Sequence, residues 1–484
     1  MKSFIPFFSL LTLVTSIFSA DPVESDYFAI QPFSFPKDMV VEIGSIELLP
    51  NQRLAVGTRR GDIYIVEGAF EKDTSAVKYK LFASGLHEIL GLAWKDGWLY
   101  VTQRPEVSRL KDKDGDDRAD IFETVNADWN ILGDYHEYAF GSRFDKEGNL
   151  WVALCLTGSF HSNAPYRGWC VRITPDGKMI PTAAGLRSPG GIGFSPEGEA
   201  YYTDNQGVWN GSSMFKRLVP GSFQGHPETL KWWDKEVLGE PPLASVSGTR
   251  ITQERERNPK YVPPAVVLPH GKVGNSPTAW DWDSSGKFGP FVNQLFVADQ
   301  TFSVLNRMTL EKVNGVQQGA VFPFLKGLQS GPIGVRMSPD GKLFVGGSDR
   351  GWGARGGKPF DLERVEWTGK TPFEMLDIHA KPDGFEIKFT QPVDKATAGD
   401  VNSYKTRAWT YIWQESYGSP EVDEVLPKVE SATVSEDGLS VRLKISPLTK
   451  GHVHQIDVPG VRSKDGLPVL HPVVYYTLNE IPKS

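Results

Sequence analysis

The sequence predicts an all-β protein, a six-bladed β-propeller followed by a small C-terminal β-sandwich of immunoglobulin-like type. Three observations predict it. One strand–turn–strand phrase recurs about six times at a spacing of roughly fifty residues, the signature of stacked repeats. The composition, with 49 Gly and 35 Pro in 484 residues, is that of a loop-rich chain long enough for two domains. The last hundred or so residues alternate apolar and polar positions between turns but lack the phrase.

Four clear copies occupy residues 91–102, 141–153, 191–204 and 334–345. In each, aromatic and aliphatic residues alternate as in a half-buried strand, and an acidic residue followed by Gly supplies the positive φ of a tight hairpin. Weaker copies at 54–66 and 277–299 bring the number to six. One hairpin cannot bury its own apolar face, so the units stack on their neighbours and close radially into a propeller. Closure gathers the loops of all blades at one end of a central channel, where a ligand site belongs.

Met1-Lys2, an apolar run from Phe4 to Phe18 and then Ser19-Ala20 have the layout of a secretory signal peptide, placed at residues 1–20, so the mature chain is expected to be periplasmic or secreted. No other stretch has the ~18 apolar residues of a spanning helix. The propeller is expected over 40–367, with 368–372 as linker and 372–480 as the sandwich. His452 and His454 in that last module lack a third ligand and read as solvated. A net charge of −7 without a basic cluster argues against nucleic acid and suits sugars and other neutral ligands. Cys155 and Cys170 lie on neighbouring strands of one blade, and in an exported chain they form either a disulfide or two buried thiols.

Asp112, Asp114, Asp116, Asp120 and Glu123 fall at positions 1, 3, 5, 9 and 12 of a twelve-residue loop, with the Arg118 carbonyl at position 7. That spacing converges on calcium, although Asp117 stands where an EF-hand has Gly. The expected role is stiffening of an inter-blade loop. Asp134 and Glu137 bracket His136 just before the third inner strand, an arrangement suited to a general base. Arg187 and Ser188 lead into the fourth inner strand, and Asn205, Gln206, Gly207 and Trp209 follow that blade's hairpin, offering a guanidinium, amides and an indole to an axial ligand. Arg187 reads equally as an inter-blade ion-pair partner, and Trp209 as a core aromatic.

The run 85–93 with His87 and Glu88, then His136, then 185–189, then Asn205-Gln206-Gly207 and finally 338–341 resembles, in this order, the glucose/sorbosone dehydrogenase family. The whole chain is similar to secreted dehydrogenase-like propellers of Planctomycetes and Verrucomicrobia, which are described as membrane-bound dehydrogenases. The resemblance implies pyrroloquinoline quinone (PQQ) and calcium over the channel, with His136 and Asp134 catalytic and Arg187 polarising the quinone. His87, Glu88, Ser188, Asn205, Gln206, Gly207 and Trp209 would line the cofactor, and electrons would pass to a separate cytochrome c. Ser188 stands where the family often has Asn, and 331–334 replaces a segment that normally carries an arginine pair, leaving Arg336, Arg350 or Arg355 as substitutes. A lactonase-type hydrolase and a non-catalytic carbohydrate- or protein-binding propeller are the alternative readings.

Overall fold

The computed structural model describes residues 21–351 and 353–483, and the signal peptide expected at 1–20 lies outside them. Six antiparallel sheets form the blades. Their inner strands are Ile43–Leu49, Gly91–Lys95, Ala139–Phe144, Pro189–Phe194, Pro277–Trp282 and Pro332–Met337, and each contacts the next around a closed ring. The sixth blade takes its outer strand from the other end of the chain. Phe28–Pro32 pairs with Phe360–Trp367, Phe28 opposite Trp367, so the propeller draws in residues upstream of the boundary at 40 that the repeats suggested. A ring closed this way leaves no long open sheet edge.

The repeated phrase forms the inner hairpins as read. Gly148, Gly198 and Gly341 sit at φ 86, 92 and 84 in the turns. Their amides donate to the carbonyls of Asp145, Ser195 and Ser338. The first weak copy differs. Residues 54–66 are the second and third strands of blade 1, whose inner hairpin is Ile43–Leu49 with Arg53–Thr58. Its turn uses Asn51 and Gln52 at φ 62 and 53 instead of glycine, which hid it from the pattern.

Between the third and fourth strands of blade 4 the chain inserts short helices, Pro227–Trp232, Lys235–Leu238 and Ile251–Arg257. The C-terminal module is a two-sheet sandwich. One sheet holds Met375–Lys381, Gly384–Phe389, Ser440–Ser446 and Lys428–Val434; the other holds Lys405–Trp413, His452–Asp457 and Val473–Leu478. This second sheet continues blade 5, because Val473–Leu478 pairs with the blade's outer strand Val316–Leu325. Phe385, Ile387, Leu443 and Tyr476 pack with Ala320 and Phe322 of that strand in one core. Each fully buried side chain of this kind contributes about 1.5–3 kcal/mol, so module and propeller are held as one body. His452 and His454 are buried in this module rather than solvated. Burial pushes the His454 imidazole down to about 3. Cys155 and Cys170 are free, buried thiols.

His471 clasps three parts of the chain. Its Nε2 lies 2.9 Å from Glu24 near the described N-terminus, and its Nδ1 meets Glu374 of the module's first segment. Burial opposes its charge, but the two carboxylates outweigh that and push its pKa up to about 9. His379, between Asp377 and Glu311, is also raised to about 9. A histidine raised in the folded state stabilises fully below its unfolded pKa, near 6.5, and loses that contribution as pH rises through about 9. The melting temperature is therefore expected to fall between pH 7 and 9.5, and His471→Gln should flatten part of that slope in pH-resolved thermal denaturation.

Candidate functional site

The loops before the inner strands and those after the second strands meet at one end of the channel, as blade topology requires. They enclose a cavity of about 100 Å³, open to solvent, whose walls include His136, Tyr138, Arg187, Ser188, Asn205, His270, Asn275, Ser276, Gln300 and Tyr417. Two buried carboxylates fix its rim in the same way. Asp204 ends the second strand of blade 4 and accepts the Arg187 and Ser188 amides at 3.1 and 2.7 Å. Asp299 ends the second strand of blade 5 and accepts those of Asn275 and Ser276 at 2.6 and 2.9 Å. Burial raises both carboxyls above the usual range, only partly offset by these amides.

His136 is buried in the wall. Its Nδ1 lies 2.8 Å from the Leu156 carbonyl, which can only accept, so the proton of a neutral ring sits on Nδ1. The Nε2 lone pair then faces the Ser188 hydroxyl at 3.0 Å. Burial, reinforced by the charge of Arg187, pushes the imidazole down to about 4. The ring is thus a neutral proton acceptor over most of the pH range. Neither flanking carboxylate touches it. Asp134 accepts the backbone amides of His136 and Gly158, both at 2.8 Å, and Glu137 takes the Leu132 amide at 2.6 Å and the Thr157 hydroxyl at 2.8 Å. Asp134 therefore positions the histidine's backbone, and the tautomer is set by a carbonyl the sequence did not single out.

Arg187 forms no ion pair among the described residues; its Nη1 donates to the Gln206 carbonyl at 2.8 Å. Gly207 lies against its side chain so closely that a Cβ there would fall 2.2 Å from Nε. The Gly207 carbonyl accepts the Gly418 amide at 3.0 Å. Gly418 belongs to a loop of the C-terminal module, 414–419, which also accepts the Trp209 amide at the Gln414 carbonyl and donates from the Ser419 amide to Gly211. That loop sets Tyr417 over the Arg187 guanidinium, 5.1 Å from ring centre to Cζ. Trp209 packs on Trp413, 6.3 Å between rings, outside the cavity wall. Tyr417, Asn275 and Gln300 were not anticipated, and no spacing in the sequence connects them.

His87 is exposed away from the cavity, and its amide donates to Gln103. Glu88 is buried between two guanidinia, accepting Arg59 Nε at 2.8 Å and Arg104 Nε at 2.5 Å. Both arginines lie over the ring of Tyr138, which reaches the cavity. Glu88 thus offsets one of the two positive charges at the rim.

Of the calcium-loop residues, the carboxylates of Asp112, Asp114 and Asp116 converge within 4.8 Å. Asp120 accepts the Lys113 amide at 2.7 Å. Arg118 donates its amide to Asp116. Glu123 lies on the strand Ile121–Asn126 and pairs with Arg109 at 2.7 Å, directed away from the three aspartates. The loop joins the third and fourth strands of blade 2 at the end of the propeller opposite the cavity. Asp117 ties it to Arg53 and Lys80 of blade 1, each at 2.6 Å.

The residues present do not fit the tricarboxylated quinone that the resemblance implies. Arg336 lies at the far end of the channel, bound to Glu47 and Asp281. Arg350 pairs with Glu42, and Arg355 is exposed over Phe302. Arg187 remains, and Tyr417 covers the guanidinium face on which a planar cofactor would stack.

Residues 49–346 match a family described as a domain of unknown function, DUF7133. No curated protein matches the chain. Among solved structures, a Thermus thermophilus protein described as an oxidoreductase (glucose dehydrogenase) superposes with a TM-score of 0.50 at 20% identity, over 70% of this chain and 99% of that one. A Trichoderma reesei carbohydrate-active enzyme of family AA12 reaches 0.53 at 14% identity, over 72% and 98%. The PQQ-bound aldose sugar dehydrogenase of Streptomyces coelicolor reaches 0.48 at 14%, over 72% and 100%. The first two likenesses support the propeller fold.

Removing the shared anion of the rim should be costly. Glu88→Ala would leave Arg59 and Arg104 uncompensated, and a loss of about 3–5 kcal/mol is expected in chemical denaturation.

Proposed function

The chain belongs to the DUF7133 family, and from its axial pocket we propose that it is an exported dehydrogenase-type enzyme acting on a hydroxyl of a sugar or related alcohol. One observation carries this reading. A neutral imidazole, its tautomer fixed by the Leu156 carbonyl, offers the Nε2 lone pair to a small polar cavity. Ser188 Oγ occupies that lone pair in the free protein, at the place a substrate hydroxyl would take. In the oxidation, the hydroxyl proton goes to His136 Nε2 and the carbon-bound hydrogen leaves as hydride, with the C–O bond becoming a carbonyl. The hydride goes to a two-electron acceptor of the quinone class supplied from outside, from which a separate cytochrome draws electrons. Arg187, in the same cavity wall, lends the site the positive charge that favours loss of that proton.

The His136–Ser188 contact favours a second reading, a lactonase-type hydrolase in which the same Nε2 activates water or the serine. The aspartate loop at the opposite end is proposed to hold calcium and to stiffen the blade 1–blade 2 seam. Chelator would then lower the melting temperature without changing ligand binding at the cavity.

Dye reduction across a panel of sugars, beside a lactone-hydrolysis assay, tests the assignment. His136→Ala should lower kcat/KM by about 10²–10⁴ with the melting temperature retained, as expected for loss of a general base. Because the folded pKa is depressed to about 4, kcat/KM, which reports the free enzyme, should persist down to that pH and fall below it, not near 6.5. PQQ with calcium should leave the quinone absorbance unshifted. Turnover unchanged in His136→Ala would remove the proposal, and lactone hydrolysis without dye reduction would favour the second reading.

A further inference from the structure

Arg187 differs from the other deeply buried arginines of the chain. Arg167 donates four hydrogen bonds to backbone carbonyls, and Arg307 donates three to Gln294 and the carbonyls of Met375 and Leu376. Arg59 has Glu88. Arg187, only 5% exposed, donates one, to Gln206. Its Nε is buried without an acceptor, and Nη2, neither sealed nor bonded, is the nitrogen left to the cavity. A desolvated guanidinium with one acceptor and no ion-pair partner among the described residues, Asp204 acting on it only from beyond contact, is costly unless a ligand supplies the anion. Beside it, Asn205 Oδ1 is buried without a donor, an acceptor waiting for a hydroxyl.

Tyr417 is the second element. It is 60% exposed, unusual for an aromatic whose flanking backbone is bonded at three points to the 207–211 turn. One side of the ring meets Arg187, and the rest faces the mouth. An ordered aromatic at the edge of a cavity walled by amides and hydroxyls gives a flat apolar platform for the C–H face of a sugar ring.

We infer that Arg187, Asn205 and Tyr417 form a subsite for a sugar ring bearing a carboxylate, of the uronate class, with the C-terminal module supplying the platform. The carboxylate pairs with Arg187 Nη2, a ring hydroxyl donates to Asn205 Oδ1, and the ring lies against Tyr417. This rests on the proposed sugar-directed function and names its substrate class.

The test is calorimetric titration of the full mature chain with D-glucuronate and D-glucose at low and high salt. Glucuronate should bind about tenfold more tightly than glucose at low salt, the margin expected of one charge-assisted pair, and the margin should shrink as salt rises. Arg187→Gln should erase the preference while Arg187→Lys keeps part of it, which separates lost charge from lost fold. Tyr417→Ala should weaken both sugars about tenfold and Tyr417→Phe should not, as stacking predicts. Equal affinities in the wild type, binding of neither sugar, or a Tyr417→Ala chain that binds as the wild type does would each overturn the inference. Turnover of the same two sugars is followed alongside by dye reduction. Charge-dependent binding without turnover would therefore defeat only the enzymatic proposal, and turnover without a charge preference only this one.

Discussion

The close approach of the inner strands is the constraint on which the rest of the molecule depends. A Cβ on Gly44 would fall 2.1 Å from the Ile89 carbonyl, and one on Gly91 2.2 Å from the Gly141 carbonyl carbon. On Gly191 it would fall 2.7 Å from Ala279, and on Gly334 3.1 Å from Ser45, at the seam between the last blade and the first. Backbones packed this tightly leave only a narrow cavity of about 20 Å³ among the inner strands, lined by Gly44, Gly141, Gly191 and Gly334. The far end is filled as well, by Arg336 between Glu47 and Asp281 with Arg143 beside them. Along the channel the wider cavity lies at the mouth, where the chain leaves the strands and the loops diverge. The position of the site follows from the ring, before any property of His136 or Arg187 is considered.

The C-terminal module acts on that mouth through the sheet it shares with blade 5. Because Val473–Leu478 is hydrogen-bonded to Val316–Leu325, the adjoining strands His452–Asp457 and Lys405–Trp413 are placed rigidly, and the loop after Trp413 arrives over blade 4. The insertion of blade 4 meets it there: Thr249 pairs with Trp413, whose ring packs against Tyr261 and over Gly225. The module thus fills part of the space above Arg187 with Tyr417. A propeller lacking this appendage would leave that face open to a planar cofactor. With the appendage that face is covered, and a ligand at the mouth meets the Tyr417 ring.

What the sequence revealed and what it hid divide along the range of the interactions. The hairpins were legible because an acid–Gly turn between alternating strands is encoded within a dozen residues, and the one inner hairpin misread, Ile43–Leu49 with Arg53–Thr58, is the one whose turn has Asn51 and Gln52 in place of Gly. The neighbourhood of His136 was legible because loops before inner strands reach the mouth in any propeller. The role of Asp134 was not, since a carboxylate two residues away can serve the ring or the backbone and only the fold chooses. Glu123 fits a twelve-residue calcium pattern, yet the pairing of Val107–Lys111 with Ile121–Asn126 commits it to Arg109 across the ladder. Tyr417 was beyond reach because it meets Arg187 across more than two hundred residues, through a sheet pairing that no local pattern announces.

The electrostatics of the cavity have one origin. Burial alone disfavours a charged His136, and the unpaired charge of Arg187 adds to that penalty. The nearby carboxylates give limited relief, since Asp204 and Asp299 are spent on backbone amides and are themselves shifted toward the neutral form. The site's own residues therefore place a weak base beside a cation with no ion-pair partner among the described residues. An anionic group settling on Arg187 would change both conditions. It would satisfy the guanidinium and cancel one of the causes that depress the imidazole, the others being burial and the more distant Arg104, moving its pKa upward toward the range in which a general base is most effective near neutral pH. A neutral alcohol in the same place would leave the base as weak as it is in the free protein. On this argument the substrate's charge does more than hold it in place, because the group that anchors the ligand also strengthens the base that acts on it.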